Sequence, residues 1–152
     1  MRLTPSASRL IRSARVAHLA TADSSGQPHV IPICFVFDGK SFYFAIDEKP
    51  KRTTKLKRLK NIAENPNVAF VIDTYDEDWR KLGYILVFAT ARITNAGKTH
   101  GAAIKLLRRK YHQYRAMALE KNPIVALQPK RFVAWSSKPR QKTSVDIKGH
   151  IR

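Results

Sequence analysis

The sequence predicts an α+β protein in which antiparallel hairpins are interrupted by helices packed on them. Three observations carry this reading. Hairpin turns at Asp23-Ser24-Ser25-Gly26 and Asp38-Gly39 join short runs rich in β-branched and aromatic residues. Between strand pairs, the spacing of apolar residues switches to the helical period. Neither GxGxxG nor GxxxxGK[ST] occurs, so the phosphate cradles of doubly wound parallel sheets and P-loop proteins are absent.

The elements follow in chain order. Thr4-Pro5 fits a helix start, with Thr as cap and Pro at the first helical position. Leu10, Ile11 and Ala14 give that helix its apolar stripe. Val16 to Thr21 reads as a strand, His29 to Phe37 as a second interrupted by Pro32, and Ser41 to Ile46 as a third. Pro50 to Asn65 predicts a helix with Leu56, Leu59, Ile62 and Ala63 on one face, ended by Asn65-Pro66-Asn67. Val68 to Tyr75 and Tyr84 to Thr94 are strands flanking the acidic loop Asp76-Glu77-Asp78, which leads to Trp79. His100 to Tyr114 predicts a second long helix, with Ile104, Leu107 and Tyr111 spaced for packing. Ile124 to Gln128 and Phe132 to Ser136 read as two closing strands. The domain therefore covers residues 1–136, and residues 137–152 form a polar, basic tail expected to be loosely ordered.

Composition bounds the function. The 152 residues suit one domain with a modest core. No apolar run approaches the roughly 18 to 20 residues of a membrane helix, and no secretory signal is expected. The lone Cys34 makes no internal disulfide, so a reducing cytoplasm is the expected location. Lys and Arg number 29 against 11 acidic residues, a net charge of +18. That excess attracts polyanions: nucleic acid, acidic lipid or a phosphorylated small molecule. It is equally the charge of a merely solvated surface.

The residues able to carry chemistry are few. From Lys51 to Lys60, six of ten residues are basic, and Thr53 and Thr54 add hydroxyls. At a helix start this pattern suits a phosphate; the competing reading is the solvated face of an amphipathic helix. In the second strand, Pro32 must bend the chain or leave backbone groups unpaired, and those groups can meet the edge of a planar heterocycle. Otherwise Pro32 simply marks an edge strand. The histidines 18, 29, 100, 112 and 150 have no paired-ligand spacing, so no metal site is expected. Cys34 reads as a buried, inert thiol among apolar neighbours. The Asp73–Asp78 cluster lacks an EF-hand pattern, and no serine has a nucleophile-elbow context. No side-chain catalyst is identifiable, so an enzyme reading requires a cofactor.

Several segments together resemble a known family. Val16-Ala17-His18-Leu19-Ala20-Thr21-Ala22-Asp23, followed by Gly26-Gln27-Pro28-His29-Val30-Ile31-Pro32-Ile33, is similar to the opening hairpin of pyridoxamine-phosphate-oxidase-like proteins. Phe42 to Arg52 resembles their third strand and the entry to a basic helix. Asn61-Ile62-Ala63-Glu64-Asn65-Pro66-Asn67-Val68-Ala69 resembles their step into the next strand. Tyr75-Asp76-Glu77-Asp78-Trp79 is similar to a subgroup of coenzyme F-420-dependent oxidoreductases. One departure is Phe88-Ala89-Thr90-Ala91, where a bulky ring stands in a position the family often keeps small.

The resemblance implies a six-stranded antiparallel split β-barrel, the FMN-binding split barrel, with flanking helices. It implies a homodimer with cofactor sites at the subunit interface. Thr53, Thr54, Lys55 and Arg58 occupy the region that holds the cofactor phosphate. Ile31, Pro32, Ile33 and Cys34 would run along the ring, and Trp79 and Trp135 would wall it. The implied function is hydride transfer from coenzyme F-420 or FMN to a small conjugated substrate, with no catalytic side chain identified. The alternatives are a non-catalytic binder of such a cofactor and a basic nucleic-acid-binding protein. Neither a specific nucleic acid nor a membrane is an expected partner.

Overall fold

The computed structural model describes residues 3–47, 56–137 and 143–146. Helix α1 (Pro5–Ser13) begins as its sequence dictates: Thr4 Oγ1 accepts the Ala7 N–H at 3.2 Å and Pro5 opens the first turn. Strands β1 (Ala17–Ala22) and β2 (Pro28–Ile33) pair across a turn organised by Asp23. Its Oδ1 accepts from the backbone N–H groups of Ser25 and Gln27, both at 3.0 Å, and from the Ser25 hydroxyl at 2.7 Å. Gly26 sits at φ 84°, where a side chain would be strained. Strands β3 (Val36–Phe37) and β4 (Phe42–Ala45) form the second hairpin. Then follow α2 (Lys57–Glu64), β5 (Asn67–Thr74), β6 (Gly83–Thr94), α3 (Lys98–Lys110), β7 (Ile124–Ser136) and β8 (Thr143–Asp146).

The strands make one sheet in the order β2-β1-β5-β6-β7-β4-β3, with β8 also on β7 and every pair antiparallel. The two ends of this order, β2 and β3, are consecutive in the chain. Only Cys34 and Phe35 lie between them. Three Cα steps reach at most about 10 Å. The sheet must therefore roll until its edges nearly meet, yet β2 and β3 do not pair, and that is a split barrel.

Tyr111 bridges the seam. Its Oη accepts the Phe35 N–H at 2.9 Å and lies 2.8 Å from the carbonyl oxygens of both Phe35 and Arg15. Burial pushes this phenol up to about 12, so at neutral pH it keeps the proton it donates.

Eight strands appear among the described residues where the resemblance implied six. The run from His29 to Phe37 breaks at residues 34–35, because the chain there crosses the seam instead of continuing a ladder. The two predicted closing strands are one, β7. A bulge falls where Phe88 pairs with Arg131 but Ala89 pairs with Pro129, leaving Lys130 as the extra residue. Pro129 lacks a ladder donor, which is why the sequence reads as a break there. The basic tail, expected to be loose, returns over residues 143–146 and pairs with the second half of β7, while β4 takes the first half. Helix α3 stops at Lys110 and not at Tyr114. Tyr111 is extended (φ −121°, ψ 113°), which sends its ring toward the seam.

Two cores result. The barrel interior holds Leu19, Phe35, Phe42, Phe44, Phe70, Ile85 and Leu127, sealed by Ile11 of α1 and Ile62 of α2. Phe42 lies at its centre, stacked on Phe37 (4.3 Å, 27°) and edge-on to Phe70 (4.9 Å, 72°). A second core lies outside, where Ala103, Ile104 and Leu107 of α3 cover Val36, Tyr43 and Ala45. Among the described residues no helix is long and apolar enough to cross a membrane.

Candidate functional site

Helix α2 is fixed to the β1–β2 hairpin by polar contacts along its length. Asn61 Nδ2 donates to Thr21 Oγ1 at 3.0 Å in a buried setting. Lys57 Nζ bonds Asp23 Oδ2 at 3.0 Å, and Glu64 Oε2 accepts the Ser24 N–H at 3.1 Å. These contacts set the rotation of the helix and with it the direction of Arg58.

Arg58 is half-buried, and its Nε is buried with no hydrogen-bond partner. Burial lowers its affinity for the proton, while the nearby Asp47 carboxylate and Tyr114 oppose that loss. The guanidinium stays charged at neutral pH, with one donor unspent.

Asp47 and Tyr114 complete the cluster. The Tyr114 hydroxyl donates to Asp47 Oδ2 at 3.2 Å, and the residue is 3% exposed. Its pKa is raised well above the ordinary phenol value, first by burial, then by Cys34 and Asp47 beside it. It therefore acts as a proton-bearing donor and not as a base. Arg108 holds the loop carrying Tyr114: Nε donates to the Tyr114 carbonyl at 3.1 Å, Nη2 to the Met117 carbonyl at 2.8 Å, and the guanidinium pairs with Glu120.

The residues singled out from sequence are distributed as follows. Cys34 and Arg58 both border the Tyr114–Asp47 pair. Ile33 is buried in the barrel, Ile31 packs against its core, and Pro32 is exposed on β2, whose outer edge has no partner strand among the described residues. Thr53, Thr54 and Lys55 lie outside the described residues. Of the basic run, Lys57, Arg58 and Lys60 fall on α2.

Trp79 and Trp135 stand elsewhere in the chain. Trp79 is 68% exposed in a short 3₁₀ turn, Trp79–Lys81. Trp135 pairs with Tyr84 at the start of β6 and stacks on its ring at 5.8 Å. Asp47 follows β4, whose Ala45 pairs with Ile124, the partner of Thr94 at the far end of β6. Ten strand steps separate Tyr84 from Thr94, on the order of 30 Å. Within one chain the tryptophans and Arg58 do not share a pocket.

Asp47 and Tyr114 were not picked out from sequence. They are 67 positions apart, so no local pattern links them. The one available signal was the aromatic pair Tyr111 and Tyr114 in a basic stretch at a helix end. Of the histidines, His100 Nε2 lies 2.9 Å from the Asn122 carbonyl, His18 faces Asp73 at the surface, His29 has a buried Nδ1 without a hydrogen-bond partner, and His150 lies outside the described residues. Among the described residues no group of three or more His, Cys, Asp or Glu is placed to hold a metal ion.

Comparison with known proteins bears on the fold and the family. Among solved structures, a conserved hypothetical protein from Mycobacterium tuberculosis matches with a TM-score of 0.73 at 17% identity, covering 93% of this chain and 91% of that one. The heme storage protein HutZ from Vibrio cholerae matches with a TM-score of 0.69 at 17% identity, covering 90% and 95%. An F-420 reductase matches with a TM-score of 0.59 at 25% identity, covering 82% and 93%. No curated protein sequence matches the chain. The family model described as pyridoxamine 5'-phosphate oxidase matches residues 3–139, almost the whole of the barrel, α1 to β7. With the split barrel and its seam in place, the chain belongs to the pyridoxamine 5'-phosphate oxidase family.

Proposed function

We propose that the protein is a homodimeric oxidoreductase that binds coenzyme F-420 or FMN and passes hydride to a small conjugated substrate. The observation carrying this reading is the buried, unpartnered Nε of Arg58 at the start of α2. A buried guanidinium donor left unmatched is costly, and a phosphate oxygen satisfies it with a charge-assisted bond. In the sequence Thr53, Thr54 and Lys55 precede this helix, and their hydroxyl and ammonium groups would be further donors for a phosphate. The bound cofactor supplies the redox chemistry.

This chain's residues then bind and orient. Along the free edge of β2 alternate residues turn their backbone groups outward to the ring edge, and where Pro32 does so it offers a carbonyl only. Cys34 marks where that edge reaches the Tyr114–Asp47 pair. Tyr114 stays neutral and donates to the Asp47 carboxylate near Arg58. Trp79 and Trp135, remote within one chain, serve as ring walls only if a second copy supplies them. That role therefore stands or falls with the dimer.

A second reading, a binder without turnover, draws support from the likeness to the heme storage protein. One experiment separates the readings: absorbance titration of the purified chain with F-420, FMN and heme in parallel, followed by assay of hydride transfer from the reduced cofactor. Saturable F-420 or FMN binding with turnover supports the reductase. Heme binding without flavin or deazaflavin binding overturns it. An oligonucleotide arm tests the basic surface, since binding by counterion release falls steeply with salt.

A further inference from the structure

Helix α1, strand β3 and helix α3 line a second, open concavity that shares no residue with the cluster around Arg58. Its volume is about 190 Å³. Ile11, Val36, Phe37 and Leu106 form an apolar floor, and Arg12, Arg109 and Lys110 stand around it. A closed, wholly apolar cavity of about 150 Å³ accepts a benzene ring; this concavity is open and has a cationic rim, but its volume has room for a body of that size.

The charged side chains around this floor are all cations. Neither α1 nor α3 contains an acidic residue. Among the described residues no carboxylate pairs with Arg12, Arg109 or Lys110. Asp38 follows β3 directly and stays ionised, held by the Lys40 and Ser41 N–H groups, both at 2.8 Å, and by the Tyr43 hydroxyl at 2.9 Å, without an ion pair to these cations. Arg15 adds a fourth cation, held near by its bond to the Lys110 carbonyl. Lys110 is half-buried with its Nζ 4.0 Å from the Phe35 ring centroid. Burial, and then the charge of Arg15, bring its pKa down to about 8. Like charges gathered over an apolar floor repel one another, and an anion with an apolar body relieves the repulsion while filling the floor.

We infer that this pocket binds a small organic anion with a ring-sized apolar body, an aromatic carboxylate in its simplest form. The ring lies on Ile11, Val36, Phe37 and Leu106, and the carboxylate meets Arg12, Arg109 and Lys110. The site is separate from the proposed cofactor site and stands whether or not that reading holds.

The test is titration of the full chain with benzoate, with benzyl alcohol and inorganic phosphate as probes lacking the charge or the ring. Methyl resonances of Ile11, Val36 and Leu106 report occupancy. Benzoate is expected to bind at least about tenfold tighter than either control, a difference of about 1.4 kcal/mol. Lys110→Met and Arg12→Gln each weaken benzoate severalfold, and Leu106→Trp fills the floor and abolishes binding. Arg58→Ala leaves benzoate affinity unchanged, and Arg12→Gln leaves F-420 and FMN affinity unchanged, so failure of one site is distinguishable from failure of the other. Equal binding of benzoate and benzyl alcohol, no saturable shift at these methyls, or full benzoate affinity in a folded Lys110→Met variant overturns the inference.

Discussion

Arg58 shows what one misplaced donor implies. Its stem packs at the start of α2, its head lies near Asp47 and Tyr114, and Nε is left without a partner. Replacing it by Ala removes the donor and is expected to weaken cofactor binding by about 1.5 to 3 kcal/mol, the range of a lost charge-assisted bond. Lys105→Ala, an exposed cation on α3, should change affinity little. Equal losses at both positions would point to diffuse electrostatics and sink the phosphate role. Asp23 works differently. The Ser25 hydroxyl, the Lys57 ammonium and the Gln27 N–H hold its carboxyl far below the usual value of 3.8. A carboxylate lowered on folding stabilises above its unfolded pKa and loses that contribution as pH falls toward the folded one. Asp23→Asn should therefore melt lower than the parent at pH 7, and the gap should narrow steadily below pH of about 4. A gap independent of pH would mean that the carboxylate charge plays no part.

At the scale of elements, the seam between β2 and β3 is the decisive feature. No ladder closes the barrel there; one phenol from the end of α3 serves the Phe35 backbone on both its donor and acceptor sides. Tyr111→Phe keeps the ring and strands those backbone groups. It should cost about 1 to 3 kcal/mol of unfolding free energy, read from urea denaturation. The loss should be accompanied by faster amide exchange at Phe35. A variant as stable as the parent, with Phe35 still protected, would show that water satisfies the seam. The aromatic packing around Phe42 then holds the rolled sheet from inside.

For the whole molecule, the separation of Trp135 from Arg58 makes assembly the central question. If ring walls and phosphate site belong to one pocket, two chains must supply them. Sedimentation with cofactor present should give about twice the 17.3 kDa chain mass. Tryptophan fluorescence should be quenched on binding, and both Trp79→Phe and Trp135→Phe should reduce the quench. A monomer that binds cofactor with full affinity would remove the tryptophans from the site. The net charge of +18 acts at this scale too: it raises association rates with any anion at low salt without conferring specificity.

The sequence by itself determined the elements whose causes are local. The Thr4-Pro5 helix start, the Asp23 and Asp38 turns and the α2 stop at Asn65-Pro66 depend on residues within a few positions of one another, and all stand where those residues put them. Arg58 and Cys34 were singled out too, as a cation in a basic run and a residue after a proline-containing strand, and both border the Tyr114–Asp47 pair. Tertiary structure alone decided the rest. The break of the second strand at residues 34–35, the early end of α3 at Tyr111 and the return of residues 143–146 onto β7 follow from closure of the sheet. The Tyr114–Asp47 pair joins positions 67 apart, and the pocket between α1 and α3 joins residues nearly a hundred apart. Such contacts leave no trace in local periodicity, because they exist only once the two edges of one sheet have been brought together.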